Sequence, residues 1–431
     1  MLKVKKFILL GILLLTQITM WGQNNTASPY TRYGYGELAD RSFGAGRAMG
    51  GVGIGLRSPK QINPMNPASY SCMDSMTFIF DFGASFQSAK FKDPKNQYKQ
   101  MNGNIEYLAI QFPITRWLAM SAGLLPYSFV GYKFGELSQI GNDYYQNTYS
   151  GDGGLNDFYG GLSIDIWKKR LAVGANFGFL FGNIEHAQFL SYSPTSGSSV
   201  ESAYSNQRLH KIKVRDLKMD FGLQYTHPLS AKESMTLGLT YSPSNRLNSE
   251  SYDIVQKLNG SSIVESKIDT IKGAAYDIPN SFGVGLSYNK VDKLLLAADF
   301  LFENWNKSKF LGKDDAFQNR TRLALGAQYE PDARAKNFFK RVRYRGGFHY
   351  GDSYIKVNQL AENGNKGYGY KEFGASIGLG LPVIDNRSLV NVAFEYVKVK
   401  PGHASLISEQ YFRLTVNYTF NERWFFKFKL D

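Results

Sequence analysis

Met76-Thr77-Phe78-Ile79-Phe80-Asp81-Phe82-Gly83-Ala84-Ser85-Phe86-Gln87 alternates with a period of two. One row holds Met76, Phe78, Phe80, Phe82, Ala84 and Phe86; the other holds Thr77, Ile79, Asp81, Gly83, Ser85 and Gln87. Successive side chains of a strand point to opposite faces, so this is a strand with one greasy face and one mostly polar face. The rhythm recurs to the C-terminal region, where Phe412, Leu414, Val416, Tyr418 and Phe420 interleave with Tyr411, Arg413, Thr415, Asn417 and Thr419. Many such strands behind a secretory signal predict an all-β fold, a transmembrane barrel with apolar residues outward and polar residues inward. A soluble β-sandwich is the alternative. It is disfavoured because many of the runs reach ten residues or more, with large aromatics on the outer face.

The chain opens with Lys3, Lys5 and Lys6, followed by an apolar run over residues 7–20. This pattern reads as a Sec-type signal peptide over residues 1–22. An uncleaved anchor is the alternative, but the run is short for a bilayer span. The mean hydropathy of −0.32 looks soluble, yet a barrel gives the same value because half of each strand faces water. Aromatics make up 15% of the chain and there are 43 Gly, which suits interfacial girdles and tight bends. The one Cys excludes an intramolecular disulfide and a Cys-built metal site. Removing the three signal lysines from the formal +14 leaves +11. That charge could meet anionic lipid or anionic solutes, and nucleic acid is a poor fit to an exported chain.

Short turns with Pro, charge or Asn/Asp fall at 113–116, 167–170, 227–233, 289–293, 331–340 and 382–387. Long polar stretches fall at 88–103, 128–154, 183–209, 243–279, 304–316, 352–369 and 400–407. Short turns on one side and long loops on the other join about 14 antiparallel strands. Residues 252–271 read as a hairpin projecting from the fourth long loop. The organisation expected is a signal peptide at 1–22, a hatch or plug at 23–75, the barrel at 76–421 and a tail at 422–431 outside the wall.

Residues 23–74 do not alternate. They carry Gly44, Gly46, Gly50, Gly51, Gly53 and Gly55, then Asn63-Pro64 and Asn66-Pro67-Ala68. Two Asn-Pro steps mark rigid turns, and the glycines let backbone pack close to a wall. A barrel this wide leaves a lumen to be filled or left open. Gly44-Ala45-Gly46-Arg47-Ala48, then Asn66-Pro67-Ala68 leading into the first strand, resembles the hatch of the FadL-type long-chain fatty-acid transporters. Residues 173–182 are similar to wall hairpins of that family.

The resemblance implies 14 strands, an N-terminal plug and passage of hydrophobic ligands from an outer groove to an inner pocket. It implies a sideways exit at a kink in the third strand, here read over 117–126 with Gly123 and Pro126 at the kink. The start, Ser28-Pro29-Tyr30-Thr31-Arg32-Tyr33-Gly34-Tyr35-Gly36, is richer in Tyr and Gly than the family's usual hatch. In this it resembles Bacteroidetes barrels, some of whose relatives serve secretion or assembly.

Alternation places Val342, Tyr344, Phe348 and Tyr350 toward lipid, and Leu323, Leu325, Ala327 and Tyr329 likewise. Arg320, Arg322, Arg341, Arg343, Arg345, His349 and Arg413 then form a basic stripe in the lumen, near Asp81, Asp220, Asp299, Glu303, Glu372 and Glu395. The stripe has two readings. One is a site for a carboxylate or phosphate, since guanidinium forks match such groups. The other is a ladder of Arg–carboxylate pairs joining plug and wall.

Gly374-Ala375-Ser376-Ile377-Gly378 matches the nucleophile-elbow pattern but sits inside an alternating strand, so no catalytic residue is expected. Residues 151–157 are read as a turn and not a Ca²⁺ loop. No metal site and no cofactor are expected. The functional expectation is a Gram-negative outer-membrane channel for passive uptake of hydrophobic or amphipathic molecules. The alternative is a non-transporting barrel that scaffolds a secretion or assembly complex. Expected partners are outer-membrane lipid and lipopolysaccharide, a hydrophobic small molecule and outer-membrane proteins, with no nucleic acid.

Overall fold

The computed structural model describes residues 26–94, 96–140, 143–193, 204–260, 262–357, 367–383 and 387–423. The signal peptide over 1–22 and the tail from 424 onward lie outside the described residues. Fourteen antiparallel strands form the wall: β1 Thr77–Lys92, β2 Gln97–Pro113, β3 Leu118–Ile140, β4 Asp143–Trp167, β5 Leu171–Ser193, β6 Ser205–Pro228 and β7 Glu233–Ser242. The second half is β8 Ser281–Lys290, β9 Leu294–Glu303, β10 Arg320–Tyr329, β11 Arg343–Asp352, β12 Tyr370–Pro382, β13 Leu389–Pro401 and β14 Ser408–Arg423. Each strand pairs with the next, and β14 pairs with β1 from Ser408↔Lys92 to Arg423↔Thr77, which closes the barrel.

The short turns fall where the sequence puts them, and the faces follow the alternation. Phe158, Leu162, Phe177, Phe221, Leu239, Phe282, Phe300, Leu325, Phe348, Ile377 and Phe394 are exposed on the outside of a closed wall. No helix among the described residues is long and apolar enough to cross a membrane, and this apolar belt is the surface that meets lipid.

Four expectations are corrected. Residues 88–92, 97–103, 128–140, 143–154, 183–193 and 205–209 are strand and not loop: β1 to β6 run on above the belt, with pairs such as Ser88↔Met101, Ile140↔Asp143 and Tyr144↔Ser193. Above the membrane both faces meet water or protein, so the alternation that marks a wall strand fades. Residues 151–157 are strand and not turn, with Gly153 and Gly154 at positive φ (107° and 143°). Val342 is buried, and Arg341 ends a short helical turn, Phe338–Arg341, so the period of two starts only at Arg343. Glu422 and Arg423 belong to the wall.

The projecting hairpin exists as Ser249–Asn259 and Ser262–Thr270, its first strand paired to the outer half of β6.

Candidate functional site

The inside of the barrel is the place where function must be sought, because the N-terminal segment contacts inward-facing side chains from β2 round to β14. Apolar clusters such as Met49 and Val52 against Ala297 and Ala324 lie beside many polar contacts. Asp299 on β9 accepts from the backbone N–H groups of Gly53, Ile54 and Gly55 (2.5, 2.7 and 3.3 Å). Gln224 on β6 donates to the Ile54 and Leu56 carbonyls (3.1 and 3.0 Å), and Ser287 on β8 donates to the Gly55 carbonyl (2.7 Å). Buried backbone groups need such partners, so the wall completes the hydrogen bonding of a segment that has almost no secondary structure of its own.

Most of the residues singled out in the segment are in this contact, and Gly46 serves the segment's own packing. Gly44 starts a one-turn helix, α1 Gly44–Arg47, and its N–H donates to the Tyr107 hydroxyl (2.9 Å). Gly46 lies inside that turn, its N–H bonded to the Phe43 carbonyl (2.8 Å). Phe43 stacks on Tyr107. Asn66 caps the 3-10 turn Pro67–Cys72 by accepting from the Ala68 N–H (3.2 Å). Its amide also donates to Ile54 within the segment (2.9 Å) and to Leu223 and Leu239 on the wall (3.3 and 3.4 Å). Ser163 on β4 donates to the Ala68 carbonyl (2.9 Å).

At several places the segment and the wall meet backbone to backbone. A Cβ on Gly174 of β5 would stand 2.5 Å from the carbonyl carbon of Pro67, and one on Gly347 of β11 would stand 2.1 Å from that of Met49. Only glycine leaves room for such an approach.

Ion pairs tie the same parts together. Arg47 binds Glu106 on β2 and stands 3.5 Å from Asp40. Arg322 on β10 binds Asp40 (2.7 Å), and Arg41 binds Asp220 on β6 (2.8 Å). Burial would push the Asp40 carboxyl up, but Arg322 and Arg47 beside it outweigh burial and hold it well below the usual carboxylate range. Glu37 is pushed up by burial, which Arg413 offsets only in part.

The basic stripe is dispersed into this network. Arg320 pairs with Glu303 (2.9 Å), Arg343 with Glu330 (3.0 Å) and Arg413 with Glu395 (3.1 Å) and Gln87 (2.7 Å). Arg345 donates to Gln328 and Asn391 (2.7 and 2.6 Å). His349 lies 3.0 Å from Glu372 and 3.8 Å from Glu395. Arg341 is outside the group, at the turn before β11, with its guanidinium over the Phe338 ring. Ser376 of the elbow-like pattern sits within β12, and its hydroxyl accepts from the Gly50 N–H (2.8 Å).

A cavity remains above α1. It is lined by Glu37, Asp40, Arg47, Glu106, Arg320, Arg322, His349, Glu372, Glu395 and Arg413, with Tyr354 and Tyr370. Carboxylates and guanidiniums dominate its surface, so it suits polar matter and water better than an alkyl chain. On its outer side the mouth is filled by aromatics. Tyr35 packs on Trp305, Phe310 and Phe317, and Trp305 packs on Tyr354 (ring centroids 4.5 Å apart). The Tyr354 hydroxyl donates to the Gly36 carbonyl (2.6 Å) and accepts from the Tyr35 N–H (3.0 Å), fastening this cap to the N-terminal segment. Sequence reasoning missed the cap, because its rings come from separate loops with no shared pattern.

Gly123 and Pro126 lie where the wall changes course. The β2–β3 ladder stops at Leu108↔Leu124, and β3 has a bulge between Pro126 and Ser128. Past that point Leu125, Val130 and Tyr132 are buried, and β3 pairs instead with Glu37 and Leu38 of the N-terminal segment.

Solved structures share this architecture. The Ralstonia pickettii toluene transporter TbuX matches with a TM-score of 0.57 at 13% identity, covering 89% of this chain and 99% of that one. The Pseudomonas putida toluene transporter TodX matches at 0.56 and 14%, covering 90% and 100%. A Pseudomonas aeruginosa FadL homologue matches at 0.56 and 14%, covering 89% and 99%. At such identities the likeness is one of fold, a closed antiparallel β-barrel. Among curated proteins, none matches the sequence. The family model described as BamG matches residues 3–431, a different label from the FadL type that the hatch motif resembles, and the chain belongs to the BamG family.

Proposed function

We propose that the chain is an outer-membrane barrel, exported by residues 1–22 and plugged by residues 23–75, that works as a non-transporting scaffold or partner in a secretion or assembly complex. One observation carries this reading: the lumen is filled at two levels. Below, the plug is bonded to wall strands around the barrel; above, Tyr35, Trp305, Phe317 and Tyr354 close the mouth on it. The space between is lined by paired charges, a poor host for a hydrophobic solute.

The second reading is a channel for passive uptake of hydrophobic or amphipathic molecules. It is favoured by the fold shared with the toluene transporters TbuX and TodX, and by the inward turn of β3 past Gly123 and Pro126. Gentle extraction from native membranes separates the two. The scaffold predicts stoichiometric protein partners. A lone barrel carrying bound lipid or fatty acid favours the channel.

The arginines offer a residue-level test. With Arg343 and Arg345 bonded to Glu330, Gln328 and Asn391, the double change Arg343→Ala, Arg345→Ala is expected to leave Glu330 short of its partner and to raise leak conductance in planar bilayers. If the stripe instead holds an anionic head group, the same variant loses ligand affinity by about ten- to hundredfold with no added leak, the cost of about 1.5–3 kcal/mol for a charge-assisted bond.

A further inference from the structure

The turn between β10 and β11, residues 330–342, folds back onto the outside of the wall. The last wall pair beside it is Tyr329↔Tyr344, and both rings are exposed outward. The Tyr344 hydroxyl donates to the Phe339 carbonyl (3.1 Å), so the helical turn Phe338–Arg341 is held at the outer foot of β11 and not beneath the lumen. Asn337 caps that turn by accepting from the Phe339 N–H (2.9 Å), and the Asp332 N–H closes the loop on the Lys340 carbonyl (2.9 Å).

Two aromatic rings stand out from this frame. Phe339 is 70% exposed and Phe338 41%, set edge to face with centroids 5.9 Å apart. On the same side of the barrel, Trp117 before β3 and Trp167 at the end of β4 are exposed as well. Rings at strand ends mark the level of the membrane interface.

The charge around the two rings is mostly of one sign. Residues 331–341 hold Arg334, Lys336, Lys340 and Arg341 against the one carboxylate of Asp332, which accepts from the Arg334 backbone N–H (2.9 Å). Arg334, Lys336 and Lys340 are exposed, and among the described residues none of these three forms an ion pair. By contrast Lys290 binds Glu233 (2.8 Å) and Arg343 binds Glu330 (3.0 Å).

An apolar pair at interface level, with unmatched cations beside it, fits a ligand that is apolar at one end and anionic at the other. The short-turn side of an outer-membrane barrel is the periplasmic side. Each Lys or Arg close to an anionic lipid surface adds about fivefold in affinity.

We propose that the turn 331–341 is a binding site for an anionic phospholipid of the periplasmic leaflet, with Lys336 and Lys340 on the phosphate and Phe338 and Phe339 against the glycerol and upper acyl chain. The proposal rests on the outer-membrane placement of the barrel and is independent of whether the barrel scaffolds or transports.

The test is native mass spectrometry of the full chain, purified in detergent and offered equal amounts of phosphatidylglycerol and phosphatidylethanolamine. The parent chain is expected to retain phosphatidylglycerol in preference. Lys336→Gln with Lys340→Gln should bind it roughly tenfold or more weakly. Lys168→Gln with Lys169→Gln, in the turn between β4 and β5, is the control and should change little. Phe339→Ser, with every cation kept, should also weaken the lipid, and millimolar inorganic phosphate should not displace it. Equal retention of the two lipids by the parent, equal losses in the two lysine pairs, no loss in Phe339→Ser, or displacement by inorganic phosphate overturns the proposal. So does an acidic protein, in place of lipid, crosslinked at position 339 in native membranes. A chain that fractionates away from the outer membrane overturns the placement as well; a chain that stays there without the lipid preference overturns the site alone.

Discussion

Valine in place of Gly347 is expected to unseat the N-terminal segment and open the barrel to ions. A Cβ there would meet the Met49 carbonyl carbon at 2.1 Å and the Gly50 nitrogen at 2.2 Å, both backbone atoms that cannot rotate away. The wall cannot yield either, since β11 is paired on both sides, Gly326↔Gly347 and Gly347↔Ser376. Overpacking of this kind costs about 1–3 kcal/mol or more. The segment bears the cost, because its attachment is a set of separable hydrogen bonds whereas the barrel is a closed ladder. Planar-bilayer recordings should show large, noisy conductance for Gly347→Val and little for the parent chain. Gly174→Val, which meets Pro67 on the far side of the lumen, should behave alike. Gly160→Val is the control, since nothing lies near a Cβ there and its φ suits any residue.

Removal of the Arg47 side chain should be comparably severe. Its guanidinium is buried between Glu106 and Asp40. Deleting one partner of a buried ion pair leaves an uncompensated charge and costs about 3–5 kcal/mol. The expected result for Arg47→Ala is a barrel that still folds in detergent, with the N-terminal segment open to protease at its Arg and Lys sites and a raised leak. Adding Glu106→Gln should recover part of the loss, because the stranded carboxylate is then neutral. A double-mutant cycle measures that coupling; strict additivity of the two changes would show that the pair does not hold the segment.

What could be read on paper follows from what each stretch touches. The alternation of residues 76–87 is legible because one face meets lipid and the other the lumen. The turn at 168–170 is legible because a tight connection needs polar, turn-forming residues at a fixed place. The upper parts of β3 to β6 are not legible as strand, since neither face there is lipid and the residues around Tyr144–Gly154 obey no binary pattern. Arg343 reads correctly as inward, while Arg341 and Val342 do not, because the turn Phe338–Arg341 shifts the phase just before the strand.

The candidate site is legible in kind but not in pairing. An inward Arg322 is expected from β10, yet its partner Asp40 lies 282 residues away in a segment without period. Arg41 and Asp220 are joined in the same way across 179 residues. The aromatic cap is least legible: Tyr35, Trp305, Phe317 and Tyr354 come from four separate segments and meet only because the barrel brings its loops over one mouth.

The sealed lumen is the centre of this account, and solute flux tests it most directly. The purified chain, reconstituted in liposomes, is to be offered a labelled long-chain fatty acid and an aromatic hydrocarbon, against protein-free liposomes and the Gly347→Val variant. The account predicts entry through the parent chain no faster than through protein-free liposomes, and no saturation. Saturable entry through the parent chain, at rates well above the protein-free control, would contradict it and restore the channel.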